Sequence, residues 1–548
     1  MAHRKHKKEK RNTKNDRLYI GLLIGILAFA LIYSIIFVEG PSFFGDDTVY
    51  ADLANSVLTG SFHQSPFIFS VRLLNIYPIA IFYKFFGVSL LTDSAWCIFS
   101  FLGIITVAFL LGKELHSNLA GIIAALLAAF FPLVVQISAT VSDDIPMAFI
   151  TSLAMLAILY AQRRSSRKWY LAAGILLIAS PLVTPEGLII IIVASTYLLI
   201  ELARKKIRLD STTIFLPIGM IVALVGLFAV NYATSGSVLV TFTTNANFYS
   251  AVGQQNTIPS TNIDPMFYIQ NMFDYNIVQN IVSASQLGIY NPLILFQRIY
   301  IQNSSTVGFF FYTLVLAMIY LLIRFERRAY FVLLWFAAGF LYLEFGPMHV
   351  SLIPLSYLLS YRLSRFLAMI AIPTVVIIGI AMARMVGKRD NLRAKAATIA
   401  VPLAIAFLIG TSIPINLMWY HVMYAERYDQ LVIAQYLNQL PNTTKIYFTG
   451  TFSNIHIYMQ FYNMSRFYAY DSIQNCSAIP DGAYVIIPKY NQVFNLAYTP
   501  DPSKYCPGWQ LVLSPQIDKN FSQDIINSAI PFRGNLYYVA SNATSTTS

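Results

Sequence analysis

Residues 18–60 read LYIGLLIGILAFALIYSIIFVEGPSFFGDDTVYADLANSVLTG. From Leu18 to Val38 the chain is uncharged and apolar. That is long enough to cross a hydrocarbon core of about 30 Å as a helix. It follows the basic arm MAHRKHKKEKRNTKNDR. There is no small-residue cleavage site and the apolar run is too long for a signal-peptide core, so a retained anchor is expected. The chain then turns polar and presents Asp46 and Asp47 side by side. A carboxylate pair at a bilayer edge is costly, and such groups are functional-site hypotheses by default. The alternative is that Asp46 caps a short interfacial helix; at this point both readings stand.

The rest of the chain repeats the first pattern. Its 548 residues are 57% hydrophobic and 11% charged, with a mean hydropathy of +0.59. That leaves too little polar surface for a soluble globule. Apolar runs fall near residues 18–38, 95–112, 119–137, 146–162, 169–184, 187–203, 212–232, 307–323, 329–346, 365–385 and 396–417, which predicts about 11 transmembrane helices. The net charge of +12 does not indicate nucleic acid. The basic residues gather in the N-terminal arm and in short loops around Lys113, Arg163–Lys168, Arg204–Arg208, Arg324–Arg328 and Arg384–Lys395. This is the positive-inside pattern, which sets orientation. The run beginning at Asn75, NIYPIAIFYKFFGVSLL, holds Pro78 and Lys84. Counting it as a crossing would put later basic loops on the wrong side, so it reads as an interfacial or re-entrant helix.

The expected organisation is a cytoplasmic arm at 1–17, a transmembrane domain at 18–418 and an extracytoplasmic α/β domain at 419–548. Outer loops are expected at 39–94, 138–145 and 233–306. Sequons at Asn303, Asn442, Asn463, Asn475, Asn520 and Asn542 fall in the segments assigned outside. In the C-terminal domain AERYDQLVIAQYLNQL reads as an amphipathic helix, and KIYFTG, AYVIIP and WQLVLS read as strands. The three cysteines show no zinc-ligand spacing. Cys97 reads as a core residue. Cys476 and Cys506 are able to bridge if the domain is outside.

Under this topology four features face the outer side. They are Asp46 and Asp47, followed by Tyr50 and Asp52; Asp143 and Asp144 in ATVSDDIPMAF; Arg72; and Arg362 and Arg365 in YRLSRFLAMIAIP. Carboxylates suit base chemistry and arginines suit phosphate. Taken singly, Asp143 and Asp144 also read as helix caps before Pro146, and Arg365 as a snorkelling anchor.

The order of these pieces resembles the GT-C glycosyltransferases, in the branch of protein O-mannosyltransferases and lipid A aminoarabinose transferases. The resemblance rests on the basic arm, the first span, GDDTVYADLANSVLTGSF, the helix ending KFFG, and SDDIPMAF. WYLAAGILLIASPLVTPEGL, NANFYSAVGQQN and RFLAMIAIP extend it over roughly residues 18 to 385. It implies an α-helical polytopic membrane enzyme that uses a polyprenyl-phosphate sugar as donor. It also implies Asp46, Asp47, Asp144 and Asp143 as catalytic acids, with Asp46 as base. Arg72, Arg365 and Arg362 would bind the donor phosphate, and Tyr50, Tyr77 and Glu186 would contact substrate. The chain departs from the family in carrying Asp-Asp in place of Asp-Glu, and Thr184 where a basic residue often precedes Pro185-Glu186-Gly187.

The implied reaction moves the sugar to an acceptor hydroxyl of a protein, glycan or lipid, with inversion, on the extracytoplasmic face of the cell membrane. It requires no cofactor; a divalent metal is compatible but not demanded. The rival reading is a polytopic transporter or lipid-linked glycan flippase. Against it, the ionisable residues stand at span edges, and no paired half-repeats with broken helices are visible. An oligosaccharyltransferase catalytic subunit lacks support because its Trp-Trp-Asp signature is absent. A non-catalytic scaffold with the same fold is a further alternative.

Overall fold

Each apolar run read from the sequence is helical in the computed structural model of the chain. The structure describes residues 2–41, 46–205, 210–254, 269, 307–352, 355–359, 364–386, 392–448, 452, 454–469, 476–489, 501–502, 506–516 and 533–540. Among the described residues seven helices are long and apolar enough to cross a membrane, or eight with the pair Asn118–Phe130 and Pro132–Ser138, bent by 57° at Pro132. The chain is a multi-pass membrane protein. The expected spans at 169–184, 307–323 and 329–346 appear as shorter helices, Arg167–Ala179, Phe310–Ile323 and Tyr330–Phe345. The run holding Pro78 is a 14-residue helix, Leu73–Phe86, also too short for that test.

The chain divides into two compact units. One comprises Met1–Phe37, Phe62–Pro78 and Trp96–Asn416; the other comprises Val38–Ser61, Ile79–Ala95 and Leu417–Ser548. In the first, Ala368–Met385 is buried from Ala368 to Ala383, and over that stretch Thr374 is its one polar side chain. A helix without a polar side belongs in the middle of a bundle. Phe215–Ser235 is the converse, with Ile221, Val222 and Val225 exposed, as suits contact with lipid. Between lipid-bathed helices apolar burial drives little association, so close packing must hold them. A Cβ on Gly174 would run into the Leu216 carbonyl oxygen, and one on Gly219 into that of Leu171. These two helices touch backbone to backbone.

The second unit carries a five-stranded mixed sheet. With β1 (Pro347–Leu352) and β2 (Leu355–Leu359) forming an antiparallel ribbon in the first unit, the sheet strands are β3 (Ile446–Phe448), β4 (Phe467–Ala469), β5 (Tyr484–Pro488), β6 (Trp509–Leu513) and β7 (Gly534–Val539). The order is β4-β3-β5-β7-β6; β3 lies parallel to β4 and β5, and β7 antiparallel to β5 and β6. Three of these strands are the ones read from the sequence. A disulfide joins Cys476 and Cys506, and Cys97 is buried as expected.

The last apolar run and the amphipathic stretch after it are one continuous helix, Leu392–Leu437, with Pro402 and Pro414 inside it. Prolines are tolerated in membrane helices because neighbours satisfy the freed carbonyls. No glycine or proline stands between Leu417 and Ala425 to end the helix.

Candidate active site

In the first unit the short turn Ile68–Val71 ends at Arg72, whose carbonyl then accepts from the amides of Asn75 and Ile76 to start the helix Leu73–Phe86. Arg72 is therefore fixed by backbone on both sides. Its guanidinium pairs with the Asp143 carboxylate and lies 4.9 Å from the Phe69 ring centre. Both charged groups are buried. Asp143 occupies the N-cap position of Asp144–Arg164 but makes no side-chain cap bond. Its carboxylate serves the arginine, so the capping reading does not hold for this residue.

Asp144 is the first residue of that helix and 1% exposed. Its Oδ2 lies 3.3 Å from Arg365 Nε and accepts from Ser142 Oγ at 3.3 Å, while its own amide donates to that hydroxyl at 3.1 Å. Ser142 is pinned in turn, its amide donating to Cys97 Sγ at 3.2 Å and its carbonyl accepting from that thiol at 3.0 Å. Arg365 stands on the turn Ser364–Leu367, ahead of the buried helix, with its side chain 34% exposed. Adjacent aspartates thus hold separate arginines, drawn from opposite directions along the chain. Thr184 donates to Glu186, and the Glu186 charge reaches Asp144. Tyr77 packs edge-on against Phe62, centroids 5.8 Å apart. Arg362 lies outside the described residues.

Asp46, Asp47, Tyr50 and Asp52 belong to the second unit. Asp46 and Asp47 form the acidic first turn of a 13-residue helix, Asp46–Leu58, where the helix dipole favours negative charge. Asp46 is half-buried; Asp47 and Tyr50 are buried. Three residues of the C-terminal domain hold this segment. Asn454 Nδ2 donates to Thr48 Oγ1 at 3.1 Å, His456 Nε2 lies 2.8 Å from Asp52 Oδ1, and the Tyr458 hydroxyl donates to the Pro41 carbonyl at 2.9 Å. Burial pushes the Tyr458 phenol above its ordinary range, which keeps it a donor.

Sequence reasoning missed two polar groups here. Glu39 is 2% exposed, and burial raises its carboxyl to about 8, against the lowering effect of Arg427 and with Glu426 and Asp47 adding to the rise. It was passed over because it closes an apolar run and has no acidic neighbour in sequence. Asn75 is completely buried, and its amide finds no hydrogen-bond partner among the described residues. Its place three residues after Arg72 is the only signal the sequence carries. Among the described residues, no three His, Cys, Asp or Glu side chains are grouped as a metal site.

The profile of the family described as dolichyl-phosphate-mannose-protein mannosyltransferase matches residues 73–232. No curated protein matches the sequence. The chain is similar to the crystal structure of ArnT from Cupriavidus metallidurans in the apo state, with a TM-score of 0.56 at 13% identity over 94% of this chain and 98% of that one. It is also similar to ArnT from the same organism bound to undecaprenyl phosphate, with a TM-score of 0.51 at 12% identity over 95% of this chain and 98% of that one. At such identities the likeness is one of fold.

Proposed function

We propose that this chain, whose fold is that of the GT-C superfamily, is a membrane glycosyltransferase that moves a sugar from a polyprenyl-phosphate donor to an acceptor hydroxyl. The observation that carries this reading is the pair of Asp–Arg couples, Arg72–Asp143 and Arg365–Asp144. Three of these four residues lie in or next to the stretch 73–232 that matches the mannosyltransferase profile. The undecaprenyl phosphate bound to the ArnT of similar fold supports a lipid phosphate as the donor's carrier.

The residues divide the work as follows. The acceptor hydroxyl attacks the anomeric carbon on the side opposite the phosphate. Its proton passes to the Asp46 carboxylate, the half-buried member of its pair. The bond from the anomeric carbon to the phosphate oxygen breaks, and the lipid phosphate leaves with the electron pair. The configuration inverts. The leaving group is already good, so no general acid is needed. Arg365, partly exposed, meets the phosphate directly. Arg72, with five donor hydrogens, has enough to hold Asp143 and to support the phosphate as well. Asp47 and Asp144 tune and position; Tyr50, Tyr77 and Glu186 contact substrate.

This chemistry is extracytoplasmic in the reading, with the N-terminus inside and the residues after Trp419 outside. Single-cysteine labelling of intact cells should then modify the C-terminal segment and spare the loop at Arg163. The reaction itself is tested by incubating the purified protein with a panel of polyprenyl-phosphate sugars and assaying free lipid phosphate. Release with one of them is expected. Movement of intact donor across vesicles without release would replace the transferase with a flippase.

A further inference from the structure

The geometry points to the turn Asn454–Tyr458 of the C-terminal domain as the clamp that sets the rotation of the helix carrying Asp46, with His456 as its central positioning residue. The inference rests on the transferase reading above and gives the C-terminal domain a part in the reaction itself.

The turn is four residues of helix, Ile455–Tyr458, preceded by Asn454. Asn454 stands at the N-cap position yet makes no side-chain cap bond to its own turn. Its side-chain Nδ2 donates to Thr48 Oγ1. His456 is 7% exposed and gives its ring nitrogen to Asp52, and Tyr458 gives its hydroxyl to Pro41. Every second residue of the turn therefore grips the first-loop segment, on both sides of Asp46 and Asp47 in sequence.

Thr48 and Asp52 are four residues apart, so they share one face of the helix Asp46–Leu58. At about 100° per residue, Asp46 lies roughly 200° from Thr48 around the axis. The clamp takes the side of the helix turned away from Asp46. Two anchors on one face fix rotation about the axis, and rotation is what aims a carboxylate at the helix start. The Pro41 contact fixes the other end. It is reinforced at Gly40, whose amide donates to Ser94 Oγ at 3.1 Å and whose φ of +70° is one that L side chains rarely adopt. Asp46 and Asp47 stand between these anchors in sequence.

The test uses the full-length protein in detergent or nanodiscs. His456→Ala and Asp52→Ala should each lower kcat about 10- to 100-fold, the scale of misplacing a reacting group by about 1 Å, with donor KM unchanged. The double variant should be no worse than either single one. His456→Gln keeps a donor and should recover most of the turnover. Hydrogen exchange of residues 46–58 should be faster in both Ala variants, whatever the reaction proves to be. Unchanged exchange, unchanged kcat, or a kcat loss that multiplies in the double variant would overturn the clamp. If wild-type protein turns over no donor but exchange quickens in the variants, the transferase reading fails and the clamp stands as a structural device.

Discussion

The chain contains two Asp-Asp dipeptides, each beginning or immediately preceding a helix, and they have been given opposite surroundings. Asp143 and Asp144 are buried and each faces an arginine, Arg72 and Arg365. Asp46 and Asp47 open a helix with one member half-buried and the other covered. At Asp143 and Asp144 a guanidinium already occupies the carboxylate. Asp46, at the first turn of its helix, is less covered than its neighbour. In the proposed reaction the same two letters mark an arginine holder in one place and a proton acceptor in the other. What separates them is what the fold brings alongside.

The sharpest way to break this contrast is at Asp46. Asp46→Asn keeps the shape and removes the base, so turnover should fall about 10²- to 10⁴-fold while donor binding is retained. The measurement is kcat beside a donor-binding isotherm. Near-normal turnover here, with a dead Asp144→Asn, would reverse the two roles. Next comes the buried couple. Arg72→Ala leaves Asp143 buried without its cation, a loss of about 3–5 kcal/mol in stability. The melting temperature should drop and should recover in large part in Arg72→Ala/Asp143→Asn. No recovery would mean that Arg72 matters for something other than the pair.

Arg365 should behave differently because it is partly exposed. Arg365→Ala removes a charge-assisted contact of about 1.5–3 kcal/mol, so donor affinity should weaken about 10- to 150-fold. Lys should rescue only part of it, since an ammonium cannot reproduce the planar fork. Wild-type affinity in the Ala variant would remove Arg365 from the phosphate site. A pH-dependent effect is expected at Glu39, whose carboxyl rises from 4.5 to about 8 in the folded chain. Between those values the unfolded chain gives up a proton that the folded chain keeps. Stability from this group is therefore full below pH 4.5 and is lost as pH rises toward 8. Glu39→Gln cannot titrate, so its melting temperature should gain on wild type between pH 5 and pH 8. A constant difference would mean that Arg427 keeps the carboxyl ionised.

What could be read in advance was what repeats or lies close in sequence. Apolar runs betray helices because each must satisfy its own backbone inside the bilayer. The strands β3, β5 and β6 showed as short apolar segments between turn residues. β4 did not, its Phe467–Ala469 following the polar Asn463–Arg466 turn without an apolar run of its own, and β7 hid behind the turn-like Gly534-Asn535 start. The site was legible as a set of residue types and illegible as a set of pairs. Nothing in ATVSDDIPMAF says that Asp143 will meet Arg72 and its neighbour Arg365; that follows from which helices pack together. The clamp turn SNIHIY carries no motif at all. Its three contacts reach back more than 400 residues, and only the folded chain could reveal them.

The bond between Cys476 and Cys506 has a consequence for how the protein is made. In the orientation proposed above, both thiols are synthesised after the last described membrane helix and are oxidised once that stretch has left the reducing cytosol. Maturation of the sheet is then tied to export. A chain whose tail stalls inside would keep two alkylatable thiols and an unfinished domain. A simple thiol count would separate delivered molecules from stranded ones before any catalysis is measured.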